Sequence, residues 1–188
     1  MNIARIYFPV KVLGYGQRVG IWTCGCNKDC ENCESQELKS ADSGFNIEVN
    51  EIVKTIISQK PNVDGITISG GEPMDQAFEV AELMRALIAE GIDDILLYSG
   101  YTLSELDSFK NVDVDYVLGN AACLILGPYV EQLNNGYGIV GSLNQEVVVH
   151  KYFERYSAVR EEKREQQIIN CDGRIIIIGL SPKETSNG

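Results

Sequence analysis

The sequence predicts an α/β fold built on a parallel sheet. Short apolar runs, typical of buried strands, alternate with segments whose apolar residues recur at three-and-four spacing, which is typical of amphipathic helices. Alternation of this kind indicates βαβ units, in which the strands are parallel. The run at 174–180 is continuous and rich in isoleucine, so it predicts a strand that is buried on both faces.

The predicted elements follow one another along the chain. Apolar runs predict strands at residues 3–8, 19–22, 65–69, 95–99, 116–118, 123–126 and 174–180. The first helix is predicted at 49–57 from its apolar spacing. A second helix is expected to begin with Asp75 as its N-cap and to stop at Gly91. A third begins with a capping box that runs from Thr102 to Glu105.

Length and charge limit the possible functions. The 188 residues predict a single domain spanning 1–188, with 181–188 as a frayed tail. A net charge of −11 disfavours nucleic-acid binding, because phosphate backbones are repelled. There is no apolar run of about 18 residues and no secretion signal, so we expect a cytoplasmic protein without a membrane partner. The mixed-charge stretch 160–167 is expected to be a solvated surface segment.

Four of the six cysteines lie close together, at positions 24, 26, 30 and 33. This clustering indicates metal binding in a reducing compartment rather than a disulfide framework. Cys26, Cys30 and Cys33 form a C-x3-C-x2-C loop directly after a strand-like run, and three thiolates can hold three corners of a cubane cluster. Because iron–sulfur clusters normally take four cysteines, one iron would stay open to a substrate or cofactor. Cys123 and Cys171 are predicted to be core thiols.

A second motif, Gly70-Gly71-Glu72, lies at the end of a predicted strand and just before a predicted helix. Paired glycines allow a ligand to approach the backbone closely, and the carboxylate that follows can bind an ammonium group. In a parallel α/β barrel, ligands bind at the carboxyl ends of the strands. We therefore expect the triplet and the cysteine loop to face the same ligand.

Two other interpretations of the cysteines are weaker. Structural zinc bound by Cys24 together with Cys26, Cys30 and Cys33 would compress four ligands into one short loop, whereas zinc prefers two separated pairs. A redox pair formed by Cys30 and Cys33 leaves Cys26 unexplained. Cys24 is expected to be a packed or redundant thiol, because a fourth thiolate would block the open iron.

The two motifs together resemble those of the radical S-adenosylmethionine (SAM) superfamily. Further segments resemble successive landmarks of the anaerobic ribonucleotide reductase activating protein family. They are WTCGCN at 22–27, YSGYT at 98–102, LGPYV at 126–130 and GSLNQ at 141–145, and residues 176–182 resemble the closing strand of that family. The landmarks occur in the family order.

The resemblance implies an incomplete, open TIM-like parallel β/α barrel of the radical SAM type. It implies that Cys26, Cys30 and Cys33 ligate a [4Fe–4S] cluster. It further implies a SAM site in which the methionyl end is held by Gly70, Gly71 and Glu72, backbone groups of Asn32 and Cys33 lie near the adenine, and Ser99 faces the cofactor. Many superfamily members carry an aromatic residue at the position of Asn32, which weakens the case for adenine stacking here.

The resemblance also implies an activity. The reduced cluster cleaves SAM to methionine and a 5′-deoxyadenosyl radical, which abstracts hydrogen from a glycine of a large partner. The expected partners are a glycyl-radical enzyme, such as an anaerobic ribonucleotide reductase or a relative, and reduced flavodoxin or a similar electron donor. The alternatives are a radical SAM enzyme that modifies another peptide or a small molecule, and a non-catalytic iron–sulfur or zinc protein. No catalytic side chain is expected beyond the cluster and SAM.

Overall fold

The computed structural model of the protein describes residues 1–171 and 173–182. It contains a seven-stranded sheet and a separate two-stranded sheet. The strands are β1 (Asn2–Val10), β2 (Arg18–Thr23), β3 (Phe45–Asn46), β4 (Gly65–Gly70), β5 (Ile95–Ser99), β6 (Cys123–Leu126), β7 (Glu146–Val149), β8 (Gln167–Cys171) and β9 (Arg174–Ile178). The helices are α1 (Val49–Ser58), α2 (Ala77–Ala89), α3 (Leu103–Ser108) and α4 (Val112–Asn120). Among the described residues, none of the helices has the length and apolar character that a membrane crossing requires.

The large sheet has the strand order β3-β1-β2-β4-β5-β6-β7. Its four central strands, β2, β4, β5 and β6, are parallel, which confirms the predicted α/β class. The flanking strands β1, β3 and β7 are antiparallel to their neighbours. The link between β1 and β2 covers only residues 11–17, which is too short for the crossover of about a dozen residues that a parallel pair needs.

Both faces of the central strands are buried. One face packs against the helices, with Ile68 and Leu97 in the same apolar cluster as Leu83 of α2. The other face is covered by the C-terminal part of the chain, where Tyr156 packs in a cluster with Leu96. Successive residues of a strand alternate between faces, so strands covered on both sides become continuous apolar runs. This explains why the sequence showed these strands clearly.

The prediction of a doubly buried strand at 174–180 is wrong. Within that range, Arg174–Ile178 form β9, which pairs with β8 in the two-stranded sheet and leaves Ile175 72% exposed. Ile178 is buried beside Trp22, so the hairpin covers the sheet with one face only. A continuous apolar run cannot reveal that one of its faces is open to solvent.

The predicted strand at 116–118 is also wrong, because these residues lie inside α4. The helix is capped by Asn111, whose side chain accepts hydrogen bonds from the amides of Asp113 and Val114. Its buried residues, Val114 and Val117, follow helical spacing. Three apolar residues in a row were too short a pattern to distinguish a strand from a helix.

The remaining helix predictions differ only at their ends. The capping box of Thr102 and Glu105 is confirmed, and α2 ends just before Gly91, which has a φ of +81°. Asp75 is not the N-cap of α2. Instead it lies in a short 3-10 turn, Pro73–Gln76, that Glu72 caps.

The prediction that 160–167 is merely a solvated segment is wrong for Arg164, which is 7% exposed. Its guanidinium donates hydrogen bonds to the carbonyl oxygens of Gly138, Val140 and Gly141. Burial lowers the pKa of this side chain. Arg164 therefore fastens the C-terminal segment to the loop that precedes β7.

Two further expectations concern the cysteines and the chain end. Cys123 is fully buried, as predicted, and burial raises the pKa of its thiol to about 12. The side chain of Cys171 and the tail at 183–188 lie outside what the structure describes. At the start of the expected tail, the amide and hydroxyl of Ser181 both donate to the carboxylate of Glu34 at 2.9 Å.

A buried ion pair joins β2 to the start of β5. Arg18 is fully buried, faces Asp94 at 3.3 Å, and donates to the Thr67 hydroxyl at 2.7 Å. We expect Arg18→Met to lower the free energy of unfolding by about 3 kcal/mol, because it leaves buried polar groups without their partner. Urea denaturation measures this. The exposed pair of Arg85 and Asp113 is the control. Arg85→Met should cost less than about 1 kcal/mol, and equal costs would contradict the prediction.

Candidate functional site

A cleft opens where the four parallel strands end. Carboxyl ends of parallel strands meet at one edge of a sheet, so the loops after β2, β4, β5 and β6 converge there. Seven of the eight residues predicted for the site line this cleft: Cys26, Cys30, Cys33, Gly70, Gly71, Glu72 and Ser99. The structure thus brings both sequence motifs to one place.

The cysteine loop is held at its base by backbone hydrogen bonds. The amide of Gly25 donates to the carbonyl of Leu38 at 2.9 Å, and that of Cys26 donates to Lys39 at 3.0 Å. Cys26, Cys30 and Cys33 are all partly exposed toward the cleft. Burial raises the pKa of the thiols of Cys26 and Cys33. A positive partner such as a metal would stabilise the thiolate form of each.

Cys24 lies outside this cleft. It is 3% exposed and packs in an apolar cluster with Trp22 and Leu38. A Cβ atom added to Gly44 would lie 2.9 Å from the Cys24 sulfur, so the thiol faces the backbone near β3. Burial raises its pKa. This environment suits a packed thiol.

The two glycines, whose expected contact with a ligand stays a prediction, are also required by the packing of the chain. The space beside them is filled by the chain itself. A Cβ on Gly70 would lie 2.3 Å from the amide nitrogen of Thr23, and one on Gly71 would lie 2.3 Å from the carbonyl oxygen of Gly25. Gly70 also has a φ of +118°, which disfavours other residues. The glycines therefore seat the start of the cysteine loop directly against Glu72, whose amide donates to Gly25.

Gly71→Ala should displace the cysteine loop, because its new methyl group would overlap the Gly25 carbonyl. We expect the free energy of unfolding to fall by about 2 kcal/mol and the iron bound after reconstitution to fall with it. The matched control is Gly119→Ala in α4, where no atom lies within 4 Å of the added methyl. That variant should be about 0.5–1 kcal/mol more stable. Normal iron content in Gly71→Ala would contradict the prediction.

Glu72 is the most buried polar group of the cleft, with 1% exposure. Its Oε1 accepts from the Met74 amide at 2.9 Å and the Ser99 hydroxyl at 2.8 Å, and its Oε2 accepts from the Gly100 amide at 2.7 Å. A carboxylate offers about four acceptor sites, so one remains for a ligand donor. Burial raises the pKa of Glu72 to about 7, although these hydrogen bonds oppose the shift.

Asn32 is the predicted site residue that does not line the cleft. Its side chain donates to Glu131 at 2.5 Å, and its φ is +50°. It borders a neighbouring hollow together with Cys33 and Tyr129. The expected contact with adenine concerned the backbone of Asn32, and it stays a prediction.

Several residues that line the cleft were not predicted as site residues, among them Tyr98, Tyr129 and Gln145. Gln145 is 8% exposed and ties two segments together. Its Nε2 donates to Gly127 at 2.8 Å, and its Oε1 accepts from Gly141 at 2.9 Å. Both segments are among those that resemble family landmarks in the sequence. The resemblance could therefore have indicated that they border the site.

The donor set fits a cluster better than a single ion. Tetrahedral zinc requires its ligands at about 2.3 Å from one point, whereas each iron of a cubane takes its own thiolate. Three thiols along one cleft, with Cys24 turned away, match a cluster that keeps one iron free of protein ligands.

Comparisons with known proteins show the family of the chain. The family described as "4Fe-4S single cluster domain" matches residues 12–148. The anaerobic ribonucleoside-triphosphate reductase-activating protein of Vibrio cholerae is 32% identical over 154 residues, covering 78% of this chain and 96% of the relative. The protein of the same name from Enterobacteria phage T4 is 33% identical over 122 residues, covering 61% of this chain and 78% of the relative.

A relative with a different name shares part of the chain. The 7-carboxy-7-deazaguanine synthase of Methanospirillum hungatei is 38% identical over 96 residues, which is 48% of this chain and 38% of that protein. The reductase-activating relatives instead match over most of their length. The chain therefore belongs to the 4Fe-4S single cluster domain family and to the family of anaerobic ribonucleoside-triphosphate reductase-activating proteins.

Proposed function

We propose that this protein is a radical SAM activase that reductively cleaves SAM and generates a glycyl radical on an anaerobic ribonucleotide reductase. The observation that carries this proposal is the shared cleft, which three cysteines and a buried carboxylate line at the carboxyl ends of parallel strands. The names of the relatives support the choice of partner. The same proposal takes the whole chain, 1–188, as one cytoplasmic domain.

Each part of the cleft has its own task in this proposal. Cys26, Cys30 and Cys33 hold a [4Fe–4S] cluster, and Glu72 accepts a hydrogen bond from the amino group of SAM. Glu72 is suited to this because one of its acceptor sites is free while three protein donors fix the others. Ser99 orients that carboxylate, and the backbone of Asn32 and Cys33 borders the adenine.

When bound, the reduced cluster supplies the single electron that breaks the S–C5′ bond of SAM. Methionine would leave with the electron pair on sulfur, and the 5′-deoxyadenosyl radical would take a hydrogen atom from the Cα of a glycine in the partner. The chain's own contribution is to orient SAM and to exclude water from the cleft. The electron donor is reduced flavodoxin or a protein of similar potential.

We further propose that the large sheet is an incomplete TIM-like barrel of the radical SAM type. Its outer strands, β3 and β7, stand at opposite ends of the strand order. Among the described residues these two strands do not pair with each other, which leaves the sheet open on one side.

The decisive experiment is anaerobic reconstitution with iron and sulfide, followed by dithionite and SAM. We expect 5′-deoxyadenosine and methionine in equal amounts. With a purified anaerobic ribonucleotide reductase present, we expect a glycyl radical signal in electron paramagnetic resonance. If no 5′-deoxyadenosine forms, the chain is a non-catalytic iron–sulfur or zinc protein and the proposal fails.

A second candidate is a radical SAM enzyme that modifies a small molecule or another peptide. The 96-residue similarity to 7-carboxy-7-deazaguanine synthase favours it. The same experiment separates the candidates. Formation of 5′-deoxyadenosine without any radical on the reductase would favour the second candidate.

A further inference from the structure

Tyr101 contacts both residues that follow the first cysteine of the loop. Its hydroxyl accepts a hydrogen bond from Asn27 at 3.1 Å and donates to Asp75 at 2.8 Å. The ammonium of Lys28 lies 3.8 Å from the centre of its ring. Lys28 is also paired with Glu105 at 3.0 Å. Two of the three residues between Cys26 and Cys30 are thus held by one aromatic side chain and its neighbours.

The ring itself has a fixed place. Phe109 packs against it edge to face, with ring centroids 5.1 Å apart and planes at 81°. Burial raises the pKa of Tyr101 to about 12, so its hydroxyl stays protonated and keeps donating to Asp75. A side chain held from several sides can act as a rigid support for a loop.

The backbone beside Tyr101 holds the other half of the site. The amide of Tyr101 donates to the Ser99 hydroxyl at 3.1 Å, and that hydroxyl donates to Glu72 at 2.8 Å. The amide of Gly100 donates to the second oxygen of Glu72. Residues 99–101 therefore connect directly to Glu72 on one side and to the cysteine loop on the other.

We infer that Tyr101 is a positioning residue that fixes the cysteine loop relative to Glu72, and hence the distance between cluster and SAM. The inference rests on the proposed function and adds to it a role for Tyr101, to which the landmark at 98–102 assigned none. Tyr101 need not touch the cluster or SAM for this role. It acts through Asn27 and Lys28.

The backbone hydrogen bonds of Gly25 and Cys26 hold only the base of the loop, and the other side-chain contacts of the loop lie beyond Lys28. Asp29 pairs with Lys39 at 3.3 Å, but its side chain is fully exposed, and such pairs stabilise little. Asn32 is held by Glu131 on the far side of the loop, in an exposed contact. At Asn27 and Lys28, by contrast, one side chain provides a hydrogen bond and a cation–π contact to two successive residues.

The test compares three variants after anaerobic reconstitution. Tyr101→Leu removes the ring and the hydroxyl, and Tyr101→Phe removes only the hydroxyl. The matched control is Tyr116→Leu, which removes a similar contact on the outer helices, where Arg85 lies 4.3 Å from the ring centre. The first measurement is the rate at which iron is released to a chelator without SAM. The second is the electron paramagnetic resonance spectrum of the reduced cluster with and without SAM. The third is kcat and KM for SAM cleavage.

For Tyr101→Leu we expect iron release to be about tenfold faster and kcat about tenfold lower. Its KM for SAM should change less than about threefold, because the hydrogen bonds to Glu72 remain. The spectral change on adding SAM should shrink. Tyr101→Phe should lie close to the wild type in each measurement, and Tyr116→Leu should match the wild type in all of them.

The inference fails alone if the wild type cleaves SAM and Tyr101→Leu behaves like Tyr116→Leu. It also fails if the cluster-free Tyr101→Leu protein is less stable to heat than Tyr116→Leu by enough to explain its loss of iron. A wild type that binds a cluster but forms no 5′-deoxyadenosine overturns the proposed function, and the inference with it.

Discussion

Cys26→Ala is expected to abolish both cluster binding and SAM cleavage. With Cys26 gone, only Cys30 and Cys33 remain on the cleft, and two thiolates cannot hold three irons of a cubane. Loss of a residue that only supports a metal ligand commonly lowers metal affinity or activity about 10–100-fold. Loss of a ligand itself should therefore lower SAM cleavage by more than about a hundredfold. Iron and sulfide analysis and 5′-deoxyadenosine assays measure the two effects.

Cys24→Ala is the control within the same segment. Cys24 is 3% exposed and belongs to the apolar cluster of Trp22 and Leu38, so it contributes packing. Its loss should lower the free energy of unfolding by about 1 kcal/mol and leave iron content and SAM cleavage near those of the wild type. If Cys24→Ala alone removes the cluster, the assignment of the three ligands is wrong.

The meeting of the two motifs could be predicted from the sequence because it follows from topology. The cysteine loop follows β2, and the triplet of Gly70, Gly71 and Glu72 ends β4 and begins the loop after it. These strands are parallel neighbours, so their carboxyl ends share one edge of the sheet. Continuous apolar runs located both strands, and no knowledge of side-chain contacts was required.

What lay beyond prediction depends on contacts between residues far apart in the chain. Tyr101 meets Asn27 and Asp75 through its hydroxyl, and Arg164 reaches carbonyls of the loop before β7. Neither contact leaves a local pattern in the sequence. The packing role of the glycines could not be predicted for the same reason, because the backbone group that approaches Gly71 closely is the distant carbonyl of Gly25. The local sequence reveals periodicity and turns, but it does not reveal which distant residues a side chain contacts.

Glu72→Gln should weaken SAM binding by about a hundredfold, which corresponds to the cost of removing one member of a desolvated charge pair. Glutamine has the same shape but can accept through one oxygen only. Met74, Ser99 and Gly100 present three donors to both oxygens, so one donor would face the new NH₂ group. The cluster should remain, since the cysteines are unchanged. Isothermal titration with SAM measures the loss.

The control for that experiment is Glu82→Gln on the exposed face of α2, which removes the same charge from the protein at a distance from the cleft. SAM affinity should not change in this variant. An equal loss in both variants would mean that net charge, rather than the Glu72 carboxylate, governs SAM binding.

Glu72 also makes the stability of the cluster-free protein depend on pH in a particular direction. Burial raises its pKa from 4.5 to about 7, so the folded state prefers the protonated carboxyl. The protonated Glu72 carboxyl therefore stabilises the folded protein fully below pH 4.5, which is the pKa of this group in the unfolded chain. This stabilisation is lost as the pH rises through about 7. Relative to Glu72→Gln, the free energy of unfolding of the wild type should therefore fall by about 3 kcal/mol between pH 4.5 and 8. Urea denaturation of both proteins across this range tests it. The prediction is contradicted if the free energy of unfolding of the wild type, relative to Glu72→Gln, stays constant or rises with pH. Glu72 would then be ionised in the folded protein throughout, because the three hydrogen bonds to its carboxylate lower its pKa more than burial raises it.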